Sequence, residues 1–216
     1  MRLATEAHEA QVRRWPGAGR VILAQFDADT IVVYQAYRPS IGTYAVSHGH
    51  LGGEFSTGRM SWIKPNFLWM MYRSGWGTKV DQETTLAVRI GRTVFDAILA
   101  QAVPSSFDPD AYSTQAEWRA AVSGSEVRLQ WDPDHDPSGR RLERRAIQLG
   151  LRGAALRSYA RDWIVAIDDV SDFVAEQRRN AAHPGWPALI VPQEAAYPVS
   201  DAAVARRLGV APSSSG

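Results

Sequence analysis

Residues 59–76, RMSWIKPNFLWMMYRSGW, constrain the fold more than any other stretch of this 216-residue chain. They hold three of its eight Trp and three of its four Met, with Phe67, Leu68 and Tyr72 among them. Side chains of this kind carry large apolar surfaces, so the segment has to lie inside the molecule or against a ligand. Its spacing says in what form. Phe67, Met70 and Met71 recur at i, i+3 and i+4, and Leu68 and Tyr72 at i, i+4, the pattern of a helix with an apolar face. Pro65 suits the first turn of that helix and Gly75 the position just past its end. Residues 57–63 read as a strand that runs into it.

The same segment is charged in one sense only. No acidic residue occurs between Glu54 and Asp81, whereas Arg59, Lys64, Arg73 and Lys79 all fall there. The whole chain has 22 Arg and only these 2 Lys, against 23 acidic residues and a net charge of +1. Codon bias explains the arginines. The two lysines kept in this one window point to a need for a compact ammonium that can be desolvated, where guanidinium would be a planar fork. A strand leading into a helix places Lys64 and the free N–H groups of residues 65–67 at a helix N-terminus, a ready anion site that Arg59 can share. Trp62 supplies a stacking face. Arg59, Ser61, Trp62, Lys64, Arg73 and Lys79 are therefore the candidate ligand-binding residues. Core packing is the competing explanation for the other aromatics.

Elsewhere strands and helices interleave without a regular βαβ series, which predicts an α+β fold: a single compact domain over residues 1–209, with a mixed or antiparallel sheet flanked by helices. Expected helices are 5–14, 41–47, 65–73, 93–101, 114–122, 140–149 and 170–180. Expected strands are 20–26, 30–37, 57–63, 84–90, 126–131 and 188–191, with Asp27-Ala28-Asp29 as a hairpin turn. Residues 103–110 read as a loop and 210–216 as a disordered tail. No apolar run approaches the roughly 18 residues of a membrane span, and no secretory leader is visible, so a cytoplasmic protein without membrane contact is expected. The absence of cysteine excludes disulfides, thiolate metal sites and thiol nucleophiles. Asp132, Asp134, Asp136 and Glu143 fit four positions of a calcium loop, but Pro137 stands where that loop needs glycine, so no metal is expected there. His48 and His50 lack a third ligand close in sequence.

The run RMSWIKPNFLWMMYRSGWGTKVDQE at residues 59–83 resembles the hallmark of a family of bacteria and fungi known as domain of unknown function 4291. Residues 34–37 (YQAY), 130–137 (QWDPDHDP), 144–151 (RRAIQLGL) and 192–194 (PQE) resemble that family too, so the likeness spans nearly the whole chain. It implies membership and leaves activity open.

Two functions follow as expectations. The first is a nucleotide-using transferase resembling ADP-ribosyltransferases, which are small α+β domains without a Rossmann fingerprint and take NAD as donor. Arg59 and Lys64 would hold the pyrophosphate, Trp62 would stack on a ring, and Glu83 or Glu194 would stabilise the developing positive charge. His135, among its Asp neighbours, is a third catalytic candidate. The acceptor is open, nucleic acid included. The alternative is a non-catalytic module that takes single-stranded nucleic acid or a modified base through residues 59–79. Oligomeric state is not legible.

Overall fold

Two runs of β-branched and aromatic residues, Thr30–Tyr37 and Thr84–Gly91, pair antiparallel over their full length, from Thr30 opposite Gly91 to Tyr37 opposite Thr84. Both are buried on both faces, so their side chains feed two separate cores and fix the position of everything packed on either side. The structure, a computed structural model, describes residues 3–109 and 111–210.

In chain order the elements are β1 (Thr5–Ala7), α1 (His8–Val12), β2 (Gly19–Arg20), β3 (Leu23–Ala24), β4 (Thr30–Tyr37), α2 (Pro39–His48), β5 (Ser61–Ile63), α3 (Phe67–Ser74), β6 (Thr84–Gly91) and α4 (Arg92–Gln101). There follow β7 (Val103–Pro104), α5 (Gln115–Gly124), β8 (Val127–His135), β9 (Arg141–Leu151), α6 (Gly153–Arg161), β10 (Ile164–Asp169), α7 (Ser171–Ala181), β11 (Ile190–Pro192), β12 (Ala195–Ala196) and α8 (Ala202–Leu208). One sheet is the antiparallel set β10-β6-β4. A larger, mixed sheet has the order β2-β9-β8-β7. Strand β5 lies along the same edge of β9 as β2, antiparallel, with Trp62 opposite Gly150. This is a mixed α+β arrangement, as expected. Among the described residues no helix is long and apolar enough to cross a membrane.

Backbone hydrogen bonds link the edge of one sheet to the chain leaving β5 of the other at Tyr34 and Lys64. Just past β5, Lys64 donates its backbone N–H to the Tyr34 carbonyl (3.2 Å) and accepts from the Tyr34 N–H (2.7 Å). Odd-numbered residues of β4 (Ile31, Val33) enter a core shared with Leu129, Ile147 and Leu149 of the larger sheet and Leu156 and Tyr159 of α6. Even-numbered ones (Val32, Tyr34) enter a second core with Phe67, Met70 and Met71 of α3 and Val174 of α7. The expected aromatic helix is present, capped by Asn66, whose side chain accepts from the Trp69 N–H (2.6 Å), and closed by Gly75 at φ 59°. Its start is two residues later than expected, because Asn66 is the better cap and Pro65 is left outside.

Several expectations are corrected. Residues 140–149 are not a helix but most of β9. Their Arg, Leu and Glu favour helix only weakly, and pairing with β8 from Val127–Leu151 to His135–Arg141 overrides that preference. The hairpin is closed by Asp136, whose Oδ1 accepts from the Ser138 and Arg140 amides, and by Gly139 at φ 87°. The four arginines at 140–145 therefore do not form a helical patch: Arg144 is buried while Arg141 and Arg145 face solvent. Residues 5–14 split into β1 and α1, since Thr5–Ala7 pair with β11. The strand expected over 57–63 is confined to β5, and β7 lies within the stretch 103–110 read as loop. Val210 bridges Arg20, and the rest of the expected tail, 211–216, lies outside the described residues.

Behind the hairpin, Arg144 and Asp134 form a buried ion pair (Nη2–Oδ2 2.6 Å, Nε–Oδ2 2.7 Å). Arg144 also donates to the Pro16 carbonyl (2.9 Å) and lies over the Trp15 ring. Removing one member strands the other charge. Arg144→Met is expected to lower unfolding free energy by about 3–5 kcal/mol, whereas Arg144→Met with Asp134→Leu recovers most of that loss. Urea denaturation of the two variants checks this; an equal loss in both would show that the pair itself stabilises the fold.

Candidate anion-binding site

Strand β5 is paired with β9, and the next residue, Lys64, is paired with Tyr34 of β4, so this short segment runs from one sheet to the other. Ser61 Oγ accepts from Gln35 Nε2 (2.9 Å) and lies 2.8 Å from the Tyr37 hydroxyl. Gln35 is itself fixed by Tyr159, whose hydroxyl donates to its Oε1 (2.8 Å). Buried polar groups so linked hold one geometry, since each broken link leaves an unsatisfied partner. Burial raises the Tyr37 and Tyr159 hydroxyl pKa values, so both stay protonated and can donate.

Around this network lies a cleft of about 190 Å³. Its lining includes Arg59, Ser61, Trp62, Lys64 and Arg73, five of the six residues expected to bind a ligand, together with Tyr37 and Gln82. Arg59 and Arg73 are exposed at the rim and Lys64 is 7% exposed at the floor. Trp62 and Met60 pack over Gly150, where a Cβ would come within 2.5 Å of the Met60 sulfur and 3.1 Å of Trp62, so glycine there leaves room for this wall.

The electrostatics are one-sided. Among the described residues no carboxylate lines the cleft. Among the described residues neither Arg59 nor Arg73 has a carboxylate partner, and Arg73 stands 5.9 Å from the centre of the Trp69 ring. The two acids bounding the acid-free stretch, Glu54 and Asp81, are both drawn to Arg38 (3.5 and 3.4 Å). The Lys64 ammonium has no hydrogen-bond acceptor among the described residues. Burial first and the Arg73 charge second depress its pKa to about 8, against a smaller opposing pull from Asp132. Three cations facing one polar cleft whose described lining holds no carboxylate make it a candidate site for an anion.

The remaining candidates lie elsewhere. Lys79 is exposed and donates its ammonium to the Arg73 carbonyl (2.5 Å), where it caps the C-terminal end of α3. Glu83 is exposed, and its Oε1 accepts from the Asp81 N–H (3.1 Å). His135 stacks on Tyr72 at 3.6 Å, with Trp69 at 5.5 Å. It lines a different cavity, with His8 and Asp136, on the far side of α3. Burial lowers its pKa, so it is neutral near pH 7. His48 and His50 flank the Tyr44 ring. Among the described residues no group of three or more His, Asp or Glu is placed to hold a metal ion.

Glu194 corrects the expectation of an anion site at the start of α3. Its Oε1 accepts from the Phe67 N–H (2.7 Å) and its Oε2 from Asn66 Nδ2 (2.9 Å), while Asn66 takes the Trp69 N–H. The helix terminus is thus filled by a side chain of the protein itself, 127 residues away in sequence. Burial raises the Glu194 pKa to about 8, partly offset by the Phe67 amide and Asn66. The cleft residues that sequence reasoning missed are Gln35, Tyr37 and Gln82. Gln35 and Tyr37 lie in the YQAY stretch and Gln82 in the run 59–83 that carry the family likeness, but only the pairing of β4 with Lys64 and the return of the chain into β6 bring them to the cleft.

A family model described as a domain of unknown function, DUF4291, matches residues 21–197, and the chain belongs to that family. All the cleft residues lie within the matched span. No curated protein matches the chain.

The contrast between the two glutamates is testable. Glu194→Ala leaves the buried Phe67 amide and Asn66 side chain without their acceptor, and should cost about 2–4 kcal/mol of stability, while Glu83→Gln should leave stability within about 0.5 kcal/mol. The folded pKa of Glu194 lies above its unfolded value. Its contribution is therefore complete below about pH 4.5 and is lost as pH rises through about 8. Denaturation of wild type and Glu194→Gln across pH 5–9 should show a difference that shrinks with rising pH. A growing difference would mean that Glu194 is ionised in the fold.

Proposed function

We propose that this protein binds a phosphorylated small molecule of the nucleotide class, NAD-like dinucleotides included, in the cleft between β4, β5 and α3. The observation that carries the reading is the convergence of Arg59, Lys64 and Arg73 on one polar cleft with no carboxylate in its lining. Two guanidinium groups at the rim can grip phosphate oxygens bidentately, and an ammonium at the floor adds a compact charge. The Ser61 hydroxyl, held by Gln35 and Tyr37, offers a further polar contact at a fixed position.

Size limits what enters. A cleft of about 190 Å³ is smaller than the ~300–1,000 Å³ of most small-molecule pockets. It takes a phosphate, a pyrophosphate or a sugar phosphate. The rest of a dinucleotide would extend past the rim, where Trp62 and Phe55 are half-buried and can meet a planar ring. Few other aromatics are free to stack, because Phe67 and Trp69 are buried in and around the second core. This favours a single nucleotide over a nucleic-acid strand.

A transferase of the ADP-ribosyltransferase kind is the catalytic form of this reading, and the chain's size and α+β architecture suit it. Such chemistry needs a carboxylate beside the reacting ribose. Glu194 is committed to the start of α3 and Glu83 to its own loop, so the binding half of the reading has the stronger support.

Calorimetric titration with ADP-ribose, NAD, AMP and inorganic phosphate provides the test. At least one phosphorylated ligand should bind. Each charge-assisted contact is worth about 1.5–3 kcal/mol, so Arg59→Ala and Arg73→Ala should each weaken binding roughly 10- to 150-fold. The affinity should fall only mildly with salt, since few ions are released; a steep slope with oligonucleotides would instead identify a polyanion site. If no phosphorylated ligand binds, or if both variants bind as wild type does, the reading is wrong.

A further inference from the structure

The two lysines of this arginine-rich chain do different work. Lys79 is a structural cap, its ammonium spent on a backbone carbonyl. Lys64 has its backbone committed to the splice between the sheets, and its ammonium has no hydrogen-bond acceptor among the described residues. It lies at the floor of a cleft, buried, with Arg73 close enough to disfavour its charge. An arginine in its place would bring the same charge to a phosphate, and with better geometry. What a lysine adds is a nitrogen lone pair. A desolvated amine beside another cation is the setting in which lysines react with carbonyl carbons.

We infer that Lys64 forms a covalent imine with the aldehyde carbon of a phosphorylated reducing sugar, free or as the terminal ribose of an ADP-ribose unit, whose phosphate is held by Arg59 and Arg73. The inference rests on the reading of the cleft as a phosphate site and adds the chemistry of its floor. The volume of about 190 Å³ is on the scale of a pentose phosphate. Ser61, fixed by Gln35 and Tyr37, lies in the same lining and can hydrogen-bond the sugar oxygens.

The step balances without an oxidant or reductant. The Nζ lone pair adds to the aldehyde carbon, giving a carbinolamine. The two protons given up by the nitrogen leave with the carbonyl oxygen as water, and a C=N bond replaces C=O. The charged and titratable groups facing Lys64 are Arg59 from the preceding loop, Arg73 from α3, Tyr37 from β4 and, more remotely, Asp132 from β8. With a pKa of about 8 the amine has a free-base fraction at pH 7.5 on the order of a hundredfold above that of an ordinary lysine.

The test incubates the full chain with ribose 5-phosphate and cyanoborohydride at pH 7.5, followed by intact mass measurement and peptide mapping. Cyanoborohydride reduces an imine to a stable secondary amine. One adduct is expected, of the sugar phosphate less one oxygen, on the peptide containing Lys64. Labelling at Lys79 should be at least tenfold slower, inorganic phosphate should suppress the Lys64 adduct, and unphosphorylated ribose should label it at least tenfold more slowly. Lys64→Arg should abolish the adduct, with circular dichroism and thermal unfolding showing that the variant is folded; Lys79→Arg should leave the adduct unchanged. Labelling spread evenly over Lys64, Lys79 and the α-amino group overturns the inference. Absence of an adduct in a protein that binds ribose 5-phosphate overturns this inference alone, and absence of both overturns the phosphate site with it.

Discussion

The backbone pairing of Tyr34 with Lys64 joins a three-stranded sheet to a larger one, and the position of every cleft residue follows from it. Strand β5 is bonded to β9 through Ser61, Trp62 and Ile63, and one residue later the chain crosses to β4. Because successive side chains alternate across a strand, Ser61 and Ile63 point one way. Ser61 meets Gln35 and Tyr37 at the cleft, while Ile63 enters the core. The helix that follows starts immediately, so Met70 and Arg73 come to the same cleft and Leu68, Met71 and Tyr72 face other cavities.

Near the start of α3 the sequence offered the helix terminus and the cationic window as places for an anion, and the protein fills the first with its own side chain. Glu194 and Asn66 satisfy the free amides there, which removes the helix terminus as a place for an external phosphate. The cations of the cleft receive no such partner, and the acids nearest in sequence are held by Arg38. The protein thus uses an internal carboxyl group where the need is structural, while among the described residues Arg59 and Arg73 keep no carboxylate partner. Such an arrangement costs stability, because like charges are held together and Lys64 is desolvated.

Much of this was legible in the residues. The β-branched runs at 30–37 and 84–90, the Asp27–Asp29 turn, the aromatic helix and the helices at 93–101, 114–122 and 170–180 all have local signals, and all are present. The acid-free window led to five residues of the cleft. The error at 140–149 has a physical origin: a stretch rich in Arg, Leu and Glu has no strong local preference, so its partner β8 decides its form. That Glu194 meets a helix amide and Lys79 a backbone carbonyl was not legible for a related reason. A charged residue reads the same in sequence whether it meets a ligand, a helix amide or a carbonyl.

The sequence by itself determined the raw material: one window with cations and no acids, a helix with an apolar face, and a lysine retained among arginines. These are properties of neighbours in the chain, and periodicity and charge report them directly. Tertiary structure alone decided which cations share a cleft and which are spent. That depends on contacts between residues far apart in the chain, such as Gln35 with Ser61, Tyr159 with Gln35 and Glu194 with Phe67. A hydrogen bond is won by whichever group folding brings within about 3 Å, and no local pattern encodes that distance.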